Sequence, residues 1–254
     1  MIVTFLGTGT SQGVPVIACE CEVCKSLDYR DKRLRSSILI EVDGMHLVVD
    51  TGPDFRQQML SARVKKLDAI LFTHAHKDHT AGMDDIRSFN FRQKKEMPVY
   101  GQPQALEQLK TEFSYVFAEK KYPGVPQVGL HPIQNQPFQI NETTVTPIEV
   151  MHYKLPVFGY RLQDFAYVTD ANYISEQEKE KLKNVDTLVL NALQKEPHIS
   201  HFTLQEALEV IDELQPKRAF LTHISHRLGL HSDVSKELPD HVQLAYDGLT
   251  LEIG

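Results

Sequence analysis

The apolar positions fall into short runs parted by turn-forming residues, and the runs differ in period. "IVTFLGTGT" opens the chain as a strand entering a Gly-rich turn. "SSILIEV" (Ser36–Val42) and "MHLVVDTG" (Met45–Gly52) read as two strands joined across Asp43-Gly44, a favoured hairpin dipeptide. "PDFRQQMLSARV" reads as a helix with Pro53 near its first turn. "LDAILFTH" is apolar almost throughout, as expected of a strand buried on both faces. A short strand at Val99-Tyr100 precedes a helix near Pro103–Phe113.

Between about Lys120 and Pro147 the chain is rich in Pro, Gly and Gln, which predicts loops and short strands. "TTVTPIEV", "VFGYRLQD" and "FAYVTD" are strand-like. "SEQEKEKLKN" is helical, with Ser175 and Glu178 spaced for a capping box, and "TLQEALEVIDELQ" repeats that spacing with Thr203 and Glu206. "DTLVLNAL" and "RAFLTHIS" read as strands, and "VQLAYDGLTLEI" as a closing hairpin. Hairpins followed by alternating strands and helices, with a similar mixture in the second half, predict a layered α/β fold with mixed sheets in one domain, residues 1–254.

Composition narrows the function classes. With 254 residues, 41% hydrophobic and 24% charged, the chain can bury a substantial core. A net charge of −7 argues against a sequence-blind nucleic-acid partner. The best basic patch, "RDKRLR" (Arg30–Arg35), is read as a solvated turn or helix end. No stretch is long and apolar enough to span a bilayer. The lipobox-like "VIAC" has no basic leader, and Gly7, Gly9, Gly13 and Pro15 interrupt the preceding run, so a cytoplasmic location is expected. All three cysteines lie in "CECEVC" (Cys19, Cys21, Cys24), a poor disulfide framework and a better metal site.

The densest chemistry is "THAHKDHTAG" (Thr73–Gly82), which packs His74, His76, Asp78 and His79 into six residues directly after an apolar strand. Imidazole nitrogens and carboxylate oxygens suit Zn, Mn and Fe. His74 and His76, two apart on an extended loop, can share one ion, while Asp78 and His79 face a second. Three further candidates close apolar runs in the same way: His152 after "TPIEVM", Asp170 after "FAYVT" and His223 in "LTHIS".

"THAHKDH", a later His, "VTD" and a final "LTHIS" resemble the metallo-β-lactamase superfamily over nearly the whole chain. The resemblance implies a four-layer αββα sandwich with two mixed β-sheets and two metals at one edge. It implies His74, His76 and His152 on one metal, Asp78, His79 and His223 on the other, and Asp170 bridging. Asp50, in "VVDTG", matches a family aspartate that orients the site by hydrogen bonds without binding metal.

"LGTGTSQGVPVIACECEVC" further resembles the PhnP-like branch, typified by phosphoribosyl 1,2-cyclic phosphate phosphodiesterase activity. That likeness implies a structural zinc on Cys19, Cys21, Cys24 and a distant His, with His226 matching the family position and His231 competing. His201, in "HISHFTLQEAL", resembles the family's non-ligand active-site His, a proton donor to the leaving oxygen that also contacts substrate; His198 is the weaker candidate. Arg87, in "AGMDDIRSFNF", can reach a phosphate or pair with Asp84 or Asp85. His46, His131 and His241 look incidental.

These features imply a phosphodiesterase acting on a small cyclic or linear phosphodiester, with water activated by two metals (Mn, Zn or Fe) beside Asp170 and Asp78. A small-molecule substrate and a homodimer follow from the same resemblance. The rival readings are a transfer-RNA 3′-processing endoribonuclease, a glyoxalase-type thioesterase and a non-catalytic cofactor-biosynthesis accessory protein. The acidic balance and the Cys loop weigh against the first two, and the full set of seven ligand positions against the third.

Overall fold

A computed structural model describes residues 1–254. The first sheet contains β1 (Ile2–Gly7), β2 (Ser37–Val42), β3 (Met45–Val49), β4 (Ala69–Leu71), β5 (Met97–Gly101) and β6 (Val128–Pro132). The second contains β7 (Phe138–Ile140), β8 (Thr143–His152), β9 (Leu155–Leu162), β10 (Phe165–Val168), β11 (Tyr173–Ile174), β12 (Thr187–Asn191), β13 (Arg218–Thr222) and β14 (Val242–Leu244). The last strand, β15 (Thr250–Glu252), returns to the first sheet beside β1. The helices are α1 (Glu22–Lys25), α2 (Phe55–Ser61), α3 (Lys77–Thr80), α4 (Arg87–Gln93), α5 (Pro103–Glu112), α6 (Ser114–Phe117), α7 (Glu176–Leu182), α8 (Leu204–Leu214) and α9 (His231–Val234).

Both sheets are mixed. The first runs β15-β1-β2-β3-β4-β5-β6, antiparallel up to β3 and parallel from β3 to β6. The second runs β11-β8-β9-β10-β12-β13-β14, antiparallel up to β10 and parallel beyond it, with β7 on β8.

Alternating side chains explain the layers. In β4, Ala69 and Leu71 join the core between the sheets, while Ile70 joins the core under α2, α4 and α5. In β13, Phe220 faces the other sheet, while Ala219 and Leu221 face α8. Strands with an apolar residue on each face must be covered twice, and the result is an αββα sandwich. Leu204, Ala207, Ile211 and Leu214 form the buried stripe of α8, which opens with the reciprocal capping box of Thr203 and Glu206.

Asp43 and Gly44 both adopt positive φ (49° and 72°) in the β2–β3 turn, matching the hairpin expectation. Three expectations fail. "VQLAYDGLTLEI" forms no hairpin: β14 extends the second sheet in parallel and β15 crosses to the first. Ser175 caps α7, but Glu178 turns away and accepts from Glu149 N (2.7 Å) and Asn135 Nδ2 (2.8 Å), so the box is not reciprocal. "RDKRLR" is not a solvated run: Arg30 pairs with Asp28, Arg35 with Asp54, and Arg33 is buried.

The Gly-rich loop after β1 joins the two sheets. Gly9 donates to Leu34 O and accepts from Ser36 N on one side, while Thr10 N and Thr8 O pair with Ile224 O and N on the other. Arg33 beneath it donates to Thr8 Oγ1 (2.8 Å), Ala245 O (2.6 Å) and His231 Nδ1 (3.2 Å). Because Arg33 can only donate, His231 accepts at Nδ1 and is neutral. Burial, then the nearby Arg33 charge, push His231 down to about 4. A folded pKa below the unfolded value of about 6.5 means that the unfolded chain takes up the extra proton. Stability from this group is therefore complete above that value and is lost as the pH falls towards 4. Thermal melts should show Tm falling over this range, with a shallower fall in His231→Asn, which keeps an acceptor for Arg33 and cannot charge.

Candidate metal centre

The site is assembled at strand ends. β4 ends at Leu71, the chain runs on through Phe72 and Thr73, and α3 begins at Lys77 with His76 at its N-terminal boundary. This loop lies directly on the segment that follows β3. A Cβ on Gly52 would collide with the carbonyl oxygen of Asp78, so only glycine permits the approach. Asp50, Asp170 and His223 all hold left-handed backbone, with φ of 64°, 57° and 55°. Such conformations are uncommon in residues with a Cβ and cluster where the surrounding structure imposes them.

Asp50 is fully buried and fixes the loop. Its Oδ1 accepts from Thr73 N (2.9 Å), and its Oδ2 from Thr73 Oγ1 (2.9 Å) and His79 Nδ1 (2.6 Å). Thr73 thereby spends its only hydroxyl proton, so its contact with His74 Nδ1 (2.9 Å) requires that nitrogen to donate. Both rings are thus turned with Nε2 inward. The Nε2 atoms of His74 and His79 are buried and make no hydrogen bond. His152 is set in the same way, with Nδ1 donating to Ser200 O (2.9 Å).

The inward atoms converge. His74, His76 and His152 bring ligand atoms within 4.8 Å of one another, as do His74, His79 and Asp170, and also Asp78, Asp170 and His223. His79 Nε2 lies 3.2 Å from Asp78 Oδ2 and 3.3 Å from Asp170 Oδ2 without hydrogen-bonding to either. Ligand atoms on a shared ion with bonds of about 2.1 Å stand roughly 3.0–3.4 Å apart. The orphaned nitrogens and this spacing fit divalent ions. Burial pushes His74 well below its usual range and His223 down to about 3, so these rings have lone pairs to offer. At His79 burial is outweighed by the carboxylates of Asp170, Asp78 and Asp50, which hold the ring well above its usual range, so an ion there would displace a proton. Burial opposes the charge on Asp170, yet the surrounding imidazoles, His79 and the hydrogen-bonded His201 among them, outweigh it and hold the carboxyl well below its usual range.

All seven expected ligands come together at the centre, with His201 beside them. Asp170 is its hub: Oδ2 faces His79 and His223, while Oδ1 accepts from His201 Nε2 (3.1 Å). His201 stacks on His223 at 4.9 Å between centroids, and its Nδ1 meets Ser200 Oγ (3.0 Å) and His198 Nδ1 (3.1 Å). Its ring also belongs to a group with His152 and Asp170 that could itself hold a metal. Arg87 does not join this cluster. Its guanidinium pairs with Asp84 at 3.1 Å on the exposed start of α4, and Asp84 also accepts from Tyr115 OH. Asn191 escaped the sequence reading: it ends β12 and clamps both backbone groups of Ala171, next to Asp170 (2.7 and 2.9 Å). A polar residue closing an apolar strand was the signal, the same as for the ligands.

A second cluster stands apart from the first. His226 Nδ1 lies 3.2, 3.4 and 3.6 Å from the sulfurs of Cys19, Cys21 and Cys24. A tetrahedral zinc with these ligands places N and S about 3.6 Å apart. Cys21 Sγ receives Cys24 N and Cys24 Sγ receives Val16 N, contacts that favour thiolate, but burial outweighs the second and raises the Cys24 thiol to about 11. The Cys24 N contact is the main reason that the Cys21 thiol is lowered to about 6. His231, held by Arg33, is not part of this cluster.

Asp50→Ala should free His79 to rotate and weaken active-site metal binding about 10- to 100-fold, read by metal titration, with little change at the Cys cluster. His226→Ala should release one zinc per chain and lower Tm, with the active-site metal content retained.

Residues 46–224 match the family model described as "Beta-lactamase superfamily domain". A crystal structure of a diphosphatase from the PhnP family superposes with a TM-score of 0.93 at 38% identity, covering 100% of this chain and 98% of that one. A curated octanoyltransferase from Porphyromonas gingivalis is 40% identical over 96% of this chain, and a ribonuclease Z from Bacillus licheniformis is 30% identical over 75%. This chain spans only 50% and 60% of those two relatives' lengths. Zinc-bound PqqB from Methylobacterium extorquens shares the fold, with a TM-score of 0.80 at 19% identity. Fold, strand-end site and family match together make this chain a member of the metallo-β-lactamase superfamily.

Proposed function

We propose that this metallo-β-lactamase-fold hydrolase cleaves small phosphodiesters at a dinuclear centre. His74, His76 and His152 would hold one ion, Asp78, His79 and His223 the other, and Asp170 both. The observation that carries this reading is the convergence of Asp170 with His152 and His223 from other strand ends and with the unpartnered Nε2 atoms of His74 and His79 from the loop after β4. Divalent ions bound there supply Lewis acidity, which acidifies water and offsets phosphate charge.

The chain's own groups do the rest. Asp170 Oδ1 accepts from His201 Nε2 and so positions this ring at the edge of the site, where the same Nε2 proton would pass from Asp170 to a substrate oxygen that takes its place. A donor placed there can protonate an oxygen leaving phosphorus, a role for which general acids contribute about 10²–10⁴-fold. Asp50 keeps His79 and, through Thr73, His74 from turning away. Cys19, Cys21, Cys24 and His226 tie the early loop to the segment after β13, and a structural zinc is the ion their chemistry suits.

A second substrate class has its own support: the PhnP-family structure similar along the whole chain is that of a diphosphatase. A disubstituted diphosphate, like a diester, presents phosphorus with a substituted leaving oxygen. The octanoyltransferase designation describes a relative twice as long, and acyl transfer is not part of this proposal.

Elemental analysis of the protein as purified, joined to a substrate panel, tests the scheme. Two ions lost to chelator and one resistant ion per chain are expected. Bis(p-nitrophenyl) phosphate should be hydrolysed with added Mn and not in chelator. Ribose cyclic phosphates, disubstituted diphosphates and transfer-RNA precursor complete the panel and separate the substrate classes. Asp170→Ala should lose both active-site metal and turnover; unchanged metal content and rate would overturn the two-metal reading. His201→Ala should lower kcat about 10²–10⁴-fold.

A further inference from the structure

At the mouth of the centre, His76, His152, Tyr153, Lys154, Leu155 and Ile199 line an open recess of about 460 Å³. That size falls within the range of about 300–1,000 Å³ usual for small-ligand sites. Its rim is built by the turn between β8 and β9, where His152 pairs with Leu155 and only Tyr153 and Lys154 lie between. Tyr153 sits there at φ 58°, a conformation that costs a residue with a Cβ and suits glycine. The ring gains little burial in return, since Tyr153 remains 53% exposed. The turn is nevertheless fixed: Tyr153 N donates to Asn172 Oδ1 at 2.7 Å, and Asn172 N to Met151 O at 2.8 Å. Lys154 Nζ lies 5.2 Å from the Tyr153 ring centre, which keeps a cation at the same rim. Ile199, 71% exposed, supplies a second apolar surface from the loop that carries Ser200 and His201.

We propose that Tyr153, Lys154 and Ile199 form the recognition site for a flat aromatic base attached to the phosphate, so that the substrate is nucleotide-like. This rests on the proposed phosphodiesterase reading and names its substrate class. The ring offers a stacking surface one residue from His152, Lys154 complements the phosphate charge, and Ile199 covers the base edge. Base–aromatic stacking tolerates any base, so preference for an aromatic over a bare sugar phosphate is the signature, not preference among bases.

The test reads binding and needs no turnover. Metal-loaded protein is titrated by calorimetry with adenosine 5′-monophosphate and with ribose 5-phosphate. The nucleotide should bind about tenfold or more tightly, the size of one base–aromatic stack. Tyr153→Gly should abolish that preference while leaving ribose 5-phosphate affinity and Tm intact, because glycine relieves the backbone at this φ. Tyr153→Phe should retain it. Equal affinities, no binding of either ligand, or a preference that survives Tyr153→Gly would each overturn the proposal. A protein that shows the preference yet hydrolyses nothing in the panel would instead overturn the hydrolytic reading alone.

Discussion

A carboxyl group sealed from water needs partners aimed at it, and Asp50 has three: the Thr73 amide and hydroxyl and the His79 ring. Because those donors belong to the loop that carries four candidate ligands, satisfying Asp50 also sets the loop. It decides which nitrogen of His79 faces inward and, by using up the Thr73 hydroxyl proton, which nitrogen of His74 does so. The fold places the rest around this point. Two sheets end at the same edge, and His152 at the end of β8, with Asp170 and His223 just beyond β10 and β13, lies across from the loop. The inward rings leave orphaned polar atoms, a cost that the fold can sustain only if something else completes them.

Much of this was legible in the sequence because apolar runs closed by a His or Asp are a local signal. His74, Asp170 and His223 each follow such a run, and none required knowledge of the topology. The hairpin at Asp43-Gly44 and the Thr203 cap were equally local. What failed depended on distant partners. Glu178 has the spacing of a capping box, but its carboxylate is drawn to the Glu149 amide, 29 positions away in the chain. Arg33 sits in a run of charges that reads as solvated, yet it is buried against Thr8, Ala245 and His231. The segment from β14 to β15 looks like a hairpin because local pattern cannot reveal that the two strands belong to different sheets.

The choice between His226 and His231 shows the same boundary. Both follow β13 and both are imidazoles, so residue type and order could not separate them. Three sulfurs surround one and a guanidinium engages the other. The pairing with Arg33 makes His231 a neutral acceptor within the core and commits its Nδ1 to that contact.

The strip from Thr8 to Thr10, bonded on one side to the stretch before β2 and on the other to Ile224, acts as a rivet between the two halves of the sandwich. Sliding one half past the other would have to break that rivet beside the reactive centre. The edge that carries the candidate ligands is thereby tied to both halves at once, while the surface turns are free of that constraint. Such a division of labour lets a rim be re-tailored to a new leaving group while the chemistry underneath stays fixed.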